Sequence, residues 1–438
     1  MQKSCGELCC SQEQCMERPL TGHMKSNGDA LTFSEYRETG GYEAARKAAA
    51  MAPRDIQDLV KNANLRGRGG AGFNTGMKWS FVPLGDETPG PTYLVANADE
   101  MEPGTFKDRM LLERNPHLLI EGMVIAGLAI RATVAYIFLR REYTVAEKRI
   151  AAAIQEAYGN NCLGGNIFQS GHDLELHLHV SAGRYMCGEE TALLNALEGR
   201  RAMPRAKPPF PQVVGLWGRP TVVNNVETLC NVPPLVANGA EWYKKLSRTD
   251  DGGTKLYGVS GRVKRPGLWE LPMGTTIGEI FEERAGGMQD GYGFRCLLPG
   301  GASTEFLTRD HFDVKMDFDS VMKAGSRMGT GTMIVLDDRT CPIGALHNLS
   351  AFFARESCGW CTPCREGLPW VTNILEAVEQ GKGEMEDLET LQSLGDSLWL
   401  GKTYCALAPG AMEPLRSGLT LFRDEFERHI REKRCSYR

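Results

Sequence analysis

No run of about 20 uninterrupted apolar residues occurs in this 438-residue chain, so no membrane-spanning helix is expected. The nearest stretch, 122–130, is interrupted by Arg131 and followed by a β-like run over 135–139. It reads as a buried helix leading into a core strand. Any link to a membrane is therefore expected to run through partner subunits, without direct insertion. The chain also lacks an excess of either charge. A net charge of −5 and a pI near 6.0 give no reason to expect a nucleic-acid partner. The start, Met1 to Gly6, has no apolar signal core. The 14 cysteines are accordingly expected as thiolates in a reducing compartment, not as disulfides. The length suits about two to four domains.

The most informative stretch is Cys358-Gly359-Trp360-Cys361-Thr362-Pro363-Cys364, with Cys405 further on. Three thiolates this close crowd one small ion. A cuboidal iron–sulfur cluster instead takes one thiolate at each iron corner. The pattern therefore points to a [4Fe–4S] cluster on Cys358, Cys361, Cys364 and Cys405. Pro363 is expected to hold a loop around it. Zinc usually shows two separated C-x2-C pairs and fits less well, as does plain core packing.

Residues 1–30 are polar, carry Cys5, Cys9, Cys10 and Cys15, and read as a flexible tail. Helices are expected over 41–51 and 53–63. Then Arg66-Gly67-Arg68-Gly69-Gly70-Ala71-Gly72-Phe73 satisfies G-x-G-x-x-G, but it follows a polar helix where the dinucleotide fingerprint needs a strand. The physics survives the failed motif. Glycines let backbone N–H groups approach a phosphate, Arg66, Arg68 and Lys78 offer cations, and Phe73, Trp79 and Phe81 offer flat surfaces for a flavin or nicotinamide ring.

An α/β pattern continues. A strand at 93–96 runs into Asn97, Asp99 and Glu100, and strands at 135–139 and 174–180 flank a helix over 145–157. His177 and His179 share a strand face, but nothing nearby completes a metal site. Gly188, Glu189 and Glu190 stand at a glycine turn before a helix. Their carboxylates can cap helix amides or accept bonds from a ribose, and their charge disfavours the extra phosphate of NADP. Lys207-Pro208-Pro209-Phe210 is a stiff segment holding one aromatic. After Val223, the amides of Asn224 and Asn225 and the hydroxyl of Thr228 offer uncharged polar groups suited to a flavin edge or ribityl chain. Beyond Asp250, a hairpin over 255–271, a helix over 276–283 and strands at 296–298 and 333–336 form a small module with a docking role. From Cys341 the spacing is helical, in four helices, the last running through Met412, Leu419, Phe426 and Ile430.

Assembled, these motifs resemble the family of NADH-binding flavoprotein subunits of NADH–quinone oxidoreductase, respiratory complex I. The resemblance runs from about Gly40 to the C-terminus. It implies an α/β protein in three parts: a Rossmann-like FMN- and NADH-binding domain over 31–250, a ubiquitin-like (SLBB-type) domain over 251–337, and a helical bundle with the [4Fe–4S] cluster over 338–438. It implies that Gly67, Arg68, Gly69, Gly70, Lys78, Asn97, Asp99, Gly188, Asn224, Asn225 and Thr228 bind FMN. Phe73, Lys78, Phe81, Glu100, Tyr185, Glu190 and Phe210 are implied to contact NADH, with Glu100, Tyr185 and Glu190 positioning hydride transfer. Asn74 stands where many relatives have proline, and Met101 where some have serine.

The implied activity is hydride transfer from NADH to FMN, then single-electron transfer to the cluster and onward to quinone. No side chain need act as a general base. Implied partners are peripheral-arm subunits of complex I, notably a small [2Fe–2S] subunit and a large iron–sulfur subunit. The implied location is the cytoplasmic side of the inner membrane. A diaphorase subunit of an NAD-linked hydrogenase or formate dehydrogenase would use the same motifs. A non-catalytic scaffold, held by a cluster or by zinc, would lack the response to NADH.

Overall fold

The computed structural model describes residues 16–85 and 90–437. Cys5, Cys9, Cys10 and Cys15 lie outside the described residues. The described part of the expected tail is packed, which corrects that expectation. Glu270, buried in the middle of the chain, needs donors, and the backbone N–H groups of Leu20 and Thr21 supply them at 3.0 and 2.8 Å. Leu20 itself is buried.

The first layer is a parallel sheet of β1 (Tyr93–Ala98), β2 (Val134–Leu139), β3 (Glu175–Val180) and β4 (Thr221–Asn225), ordered β3-β2-β1-β4. Helix Pro116–Ile130 packs against it and is buried at all 15 positions, as its largely apolar sequence requires. Asn115 caps its first turn through Leu118 N–H, and Pro116 occupies a position where no N–H is needed. Each buried Leu or Ile there contributes roughly 1.5–3 kcal/mol. Its one acidic residue, Glu121, is satisfied by Tyr36 Oη and Ala45 N–H. The chain steps outward from β1 to β2 to β3, then returns to lay β4 on the other side of β1. That reversal opens a crevice at the carboxyl ends of β1 and β4, where open α/β sheets take ligands.

A second sheet holds β5 (Thr254–Ser260), β6 (Gly267–Pro272), β7 (Phe294–Leu298) and β8 (Thr332–Asp337), ordered β6-β5-β8-β7. β5 pairs antiparallel with β6 and parallel with β8, the ubiquitin-like arrangement. The helix expected over 276–283 is present, and over Glu279–Arg284 it is wound wider than an α-helix. Ala285 N–H reaches back five residues to Ile280 O, and Gly286 and Gly287, both at positive φ, end it.

The C-terminal part is helical: Pro342–Glu356, Thr362–Glu379, Glu386–Ser397, Leu407–Leu421 and Arg423–Glu432. The expected long last helix is thus two. Phe422 leaves helical geometry (φ −113°, ψ 24°) and sets its ring against Phe306 at 5.3 Å. Apolar spacing continues on both sides, which is why periodicity alone hides the break. Among the described residues no helix is long and apolar enough to cross a membrane.

Candidate functional site

The glycine-rich segment is a closed loop. Gly67 N–H donates to Phe73 O at 2.8 Å, and Arg66 pairs with Asn74 as an antiparallel bridge. Gly72 is obligatory there. Its φ is +66°, and a Cβ on it would lie 2.5 Å from the Phe318 ring. Helix Thr75–Ser80 follows, capped by the Asn74 side chain. It aims Lys78 at Glu190 Oε2 (2.6 Å) and Val223 O (2.8 Å).

The loop's two arginines do not serve as expected. Arg68 is fully buried and donates to Gly252 O and Thr254 O, leaving only its backbone near the crevice, where its N–H meets Thr228 Oγ1 at 2.8 Å. Arg66 is held by Asp251 and Asp319. Both arginines fasten the loop to the second sheet's module. Trp79 is likewise buried. It stacks on no ligand but donates from Nε1 to Asn224 Oδ1 at 2.8 Å, fixing that amide.

Around the switch point lies a cavity of about 1180 Å³. One ligand of ordinary size fills roughly 300–1,000 Å³, so two can share it. Of the expected cofactor-binding residues, Arg68 alone is absent from its wall. Parallel pairing sets Asn97 beside Asn225 at the strand ends. Phe73, Phe81 and Phe210 line the cavity with about half their surface exposed. Cys405 also lines it.

The acids divide their labour. Glu189 caps helix Glu190–Leu197 through Thr191 and Ala192 N–H. Burial raises the Glu190 carboxyl, but Lys78 and Lys207 beside it bring it below the usual range, so it stays ionised. Glu100 turns inward, accepting from Asp108 N–H, Arg109 N–H and Tyr143 Oη; burial and then Asp108 lift it to about 7. Tyr185 Oη donates to Glu102 at 2.6 Å.

The four motif cysteines converge at one end of the bundle. Cys358 follows the first helix, Cys361 stands at the N-cap position of the second without a side-chain capping bond, and Cys364 lies in that helix's first turn. Pro363 is therefore a helix-starting residue and not part of a loop. Cys405 precedes helix Leu407–Leu421, which is the fourth of five helices and not the last. Tyr404 N–H points at Cys361 Sγ (3.4 Å), Ser357 Oγ meets Cys364 Sγ (3.2 Å), and Arg201 holds Cys358 O (2.8 Å). Burial pushes the Cys405 thiol up to about 12, and Cys364 and Cys358 nearby add to it. Metal coordination replaces those protons, so this crowding fits a cluster-binding pocket.

Residues 60–234 match the Nuo51 FMN-binding domain, 344–429 the NADH-ubiquinone oxidoreductase-F iron-sulfur binding region, and 256–306 the SLBB domain. The chain is 56% identical over 415 residues to the F subunit of NADH-quinone oxidoreductase from Salmonella typhimurium, covering 94% of this chain and 93% of that one. The corresponding Escherichia coli protein gives the same figures. The chain belongs to the family of NADH-quinone oxidoreductase F subunits. It is the NADH-oxidising flavoprotein component of complex I, using FMN and a [4Fe–4S] cluster, and other complex I subunits are its partners. A solved NAD+-reducing [NiFe]-hydrogenase in the H2-reduced state shares the fold, with TM-score 0.80 and 36% identity over 92% of this chain and 67% of that one.

Sequence reasoning missed part of this NADH dehydrogenase site. The second sheet's module has more than a docking role, since Gly300, Ser303, Arg327, Gly329 and Thr330 line the cavity. The paired glycines Gly300-Gly301 and Gly329-Thr330-Gly331 were the available signal. Glu102, Lys107 and Asp108 were also missed. Of the histidine pair, His179 stacks on Phe138 at 5.2 Å and His177 lies against Tyr136 at 5.3 Å.

Asp99 gives the fit test for FMN. It lines the cavity, takes Ser181 Oγ at 3.1 Å on one oxygen, and has no donor for the other, buried oxygen. A ribityl hydroxyl is a donor of the right kind. Burial raises its carboxyl to about 7. In flavin-free protein the native state therefore holds a proton that the unfolded chain releases near pH 4. Stability should fall as pH rises through that window, by up to about 1.4 kcal/mol per pH unit. Asp99→Asn is expected to remove this slope, gaining on wild type at pH 8 but not at pH 4 in urea unfolding.

Proposed function

We propose that FMN and NADH share the single cavity at the carboxyl ends of β1 and β4, with the cluster at its edge. The observation that carries this reading is the wall itself, in which Gly67, Gly69, Gly70 and Asn224 stand with Cys405. When bound, FMN accepts a hydride from NADH, and a [4Fe–4S] cluster carries one electron at a time. The glycine loop offers backbone N–H groups to a phosphate, with Lys78 as a cation in the same wall. Asn97, Asp99, Gly188, Val223, Asn224, Asn225 and Thr228 hold the flavin. Phe73, Phe81 and Phe210 stack on the nucleotide and exclude water, and Tyr185, fixed by Glu102, borders the same space. Glu189 and Glu190 favour a free ribose hydroxyl over a phosphate. Glu100 acts through the backbone it holds, since its carboxylate is already engaged. Cys358, Cys361, Cys364 and Cys405 hold the cluster.

Membership of the family supports a finer reading. The three parts divide near 250 and 337, a small [2Fe–2S] subunit and a large iron–sulfur subunit are the neighbours, and the chain sits on the cytoplasmic side of the membrane. A hydrogenase or formate dehydrogenase diaphorase is less supported, because identity to the quinone-oxidoreductase relatives is 56% against 36% to the hydrogenase.

An anaerobic visible spectrum tests the reading. A flavin band over a broad iron–sulfur background should bleach with NADH and far less with NADPH. A colourless protein that ignores both nucleotides would leave only the scaffold readings. Equal bleaching by NADPH would remove the role given to Glu189 and Glu190.

A further inference from the structure

Two cysteines and a histidine outside both the cavity wall and the cluster motif meet in the helical region. Cys341 caps helix Pro342–Glu356, with its Sγ 3.3 Å from Gly344 N. His429 lies in helix Arg423–Glu432 and is wholly buried. Cys435 lies in the turn beyond that helix and is 7% exposed. Their ligand atoms all lie within 4.8 Å of one another.

We propose that Cys341, His429 and Cys435 bind one soft divalent cation, zinc being the best match. Three observations carry this. The first is the donor set, since two thiolates and an imidazole are the ligands zinc prefers. The second is spacing. Zinc bonds of about 2.3 Å to sulfur and 2.0 Å to nitrogen, at a tetrahedral angle, set sulfur and nitrogen about 3.5 Å apart. Cys341 Sγ and His429 Nε2 are 3.4 Å apart. The third is the tautomer. His429 Nδ1 lies 2.8 Å from the backbone carbonyl of Glu425, which can only accept. Nδ1 therefore carries the hydrogen, and the Nε2 lone pair faces the sulfur. A backbone carbonyl behind a ligating histidine is the usual second support of a zinc site. Without a metal, a thiol bond to Nε2 and a thiol–thiol bond between Cys341 and Cys435 would hold the three side chains together.

Solvent or an added ligand completes the tetrahedron. On binding, each thiol loses its proton to solvent and the metal takes the sulfur lone pair, with no redox change. The ion would pin the chain's end to the start of the helix whose other end leads into Cys358.

The test uses the full chain with its cluster and flavin loaded. The protein is exposed to zinc chloride, dialysed against a weak chelator, and assayed for zinc and iron together. Wild type should keep about one zinc per chain beside its full iron content, and zinc-edge absorption should read two sulfur ligands and one nitrogen ligand from protein. Cys435→Ser and His429→Gln should lose the zinc while keeping iron and bleaching by NADH. Alkylation in denaturant without reductant gives an independent readout on wild type. If zinc stays at background and Cys341 and Cys435 alkylate as free thiols, the proposal is overturned in favour of a hydrogen-bonded thiol pair. If they are found joined as a disulfide, it is overturned in favour of a redox pair. Zinc retained by folded variants would place the ion elsewhere and also overturn it.

Discussion

Cys361→Ser should strip the iron from the protein and leave NADH able to bleach its flavin. Cys361 is the N-cap of helix Thr362–Glu379, and serine is among the best N-cap residues, so the helix should persist. Its sulfur is only half-buried at the edge of the bundle core, and the exchange opens no large void. A cluster corner needs its thiolate, however, and a hydroxyl is a much poorer ligand for iron. Iron should fall from about four atoms per chain to background. The cavity stands apart from this change, because Cys405 is the one cluster cysteine in its wall. Reduction of a small external oxidant by NADH should survive, and electron flow to quinone in the assembled complex should stop. Iron analysis, electron paramagnetic resonance and the two rates read this out. A folded variant that kept its FMN but no longer responded to NADH would mean that electrons do not reach the flavin first.

The cluster was legible in the sequence because its spacing carries the chemistry directly. Cys358, Cys361 and Cys364 lie within seven residues, and no tertiary knowledge is needed to group them. The strands β1 and β4 were legible for a similar reason, since short apolar runs ending in polar residues mark the carboxyl edge of a parallel sheet. What stayed hidden was direction. Arg68 and Trp79 stand among glycines and aromatics that do line the cavity, yet both turn inward to partners 145 to 186 residues away. Nothing local distinguishes an arginine that waits for a phosphate from one that ties two layers together. Glu100 was hidden in the same way, because its donors include Tyr143, 43 residues on. The contribution of Ser303 and Thr330 depends on how two sheets dock, which periodicity within either sheet does not encode. The Cys341–His429–Cys435 group is the extreme case, since Cys341 stands a whole helical bundle away in sequence from His429 and Cys435.

Glu227→Gln should be the most destabilising single substitution of a polar residue near the site, although Glu227 itself touches no expected ligand. Its carboxylate is fully buried between the first sheet and the second. It accepts Lys255 Nζ at 2.6 Å, Lys107 Nζ at 3.0 Å and Leu256 N–H at 2.8 Å. Lys107 in turn reaches Asp108 and Asn225, so the network holds the β4 end against both neighbours. Burial raises the Glu227 carboxyl, but Lys255, Lys107 and Arg68 outweigh it and hold it below the usual range. Glutamine keeps the shape and removes the charge. Lys255, which burial already lowers to about 7, then loses its carboxylate partner while Lys107 keeps Asp108, and breaking a buried pair from one side costs at most about 3–5 kcal/mol. Denaturant midpoints should show that loss at pH 7. The pH dependence gives the sign independently. Because folding lowers the Glu227 pKa, its contribution is present above the unfolded value near 4.5 and is lost as pH falls through the folded value. The gap between wild type and Glu227→Gln should therefore be wide at pH 7 and narrow in acid. A gap that held constant down to pH 3 would assign the loss to packing instead. If the network also sets the flavin-facing amides, as the Lys107 bond to Asn225 requires, the folded variant should release FMN faster than wild type. Unchanged FMN release in a destabilised variant would confine Glu227 to joining the layers.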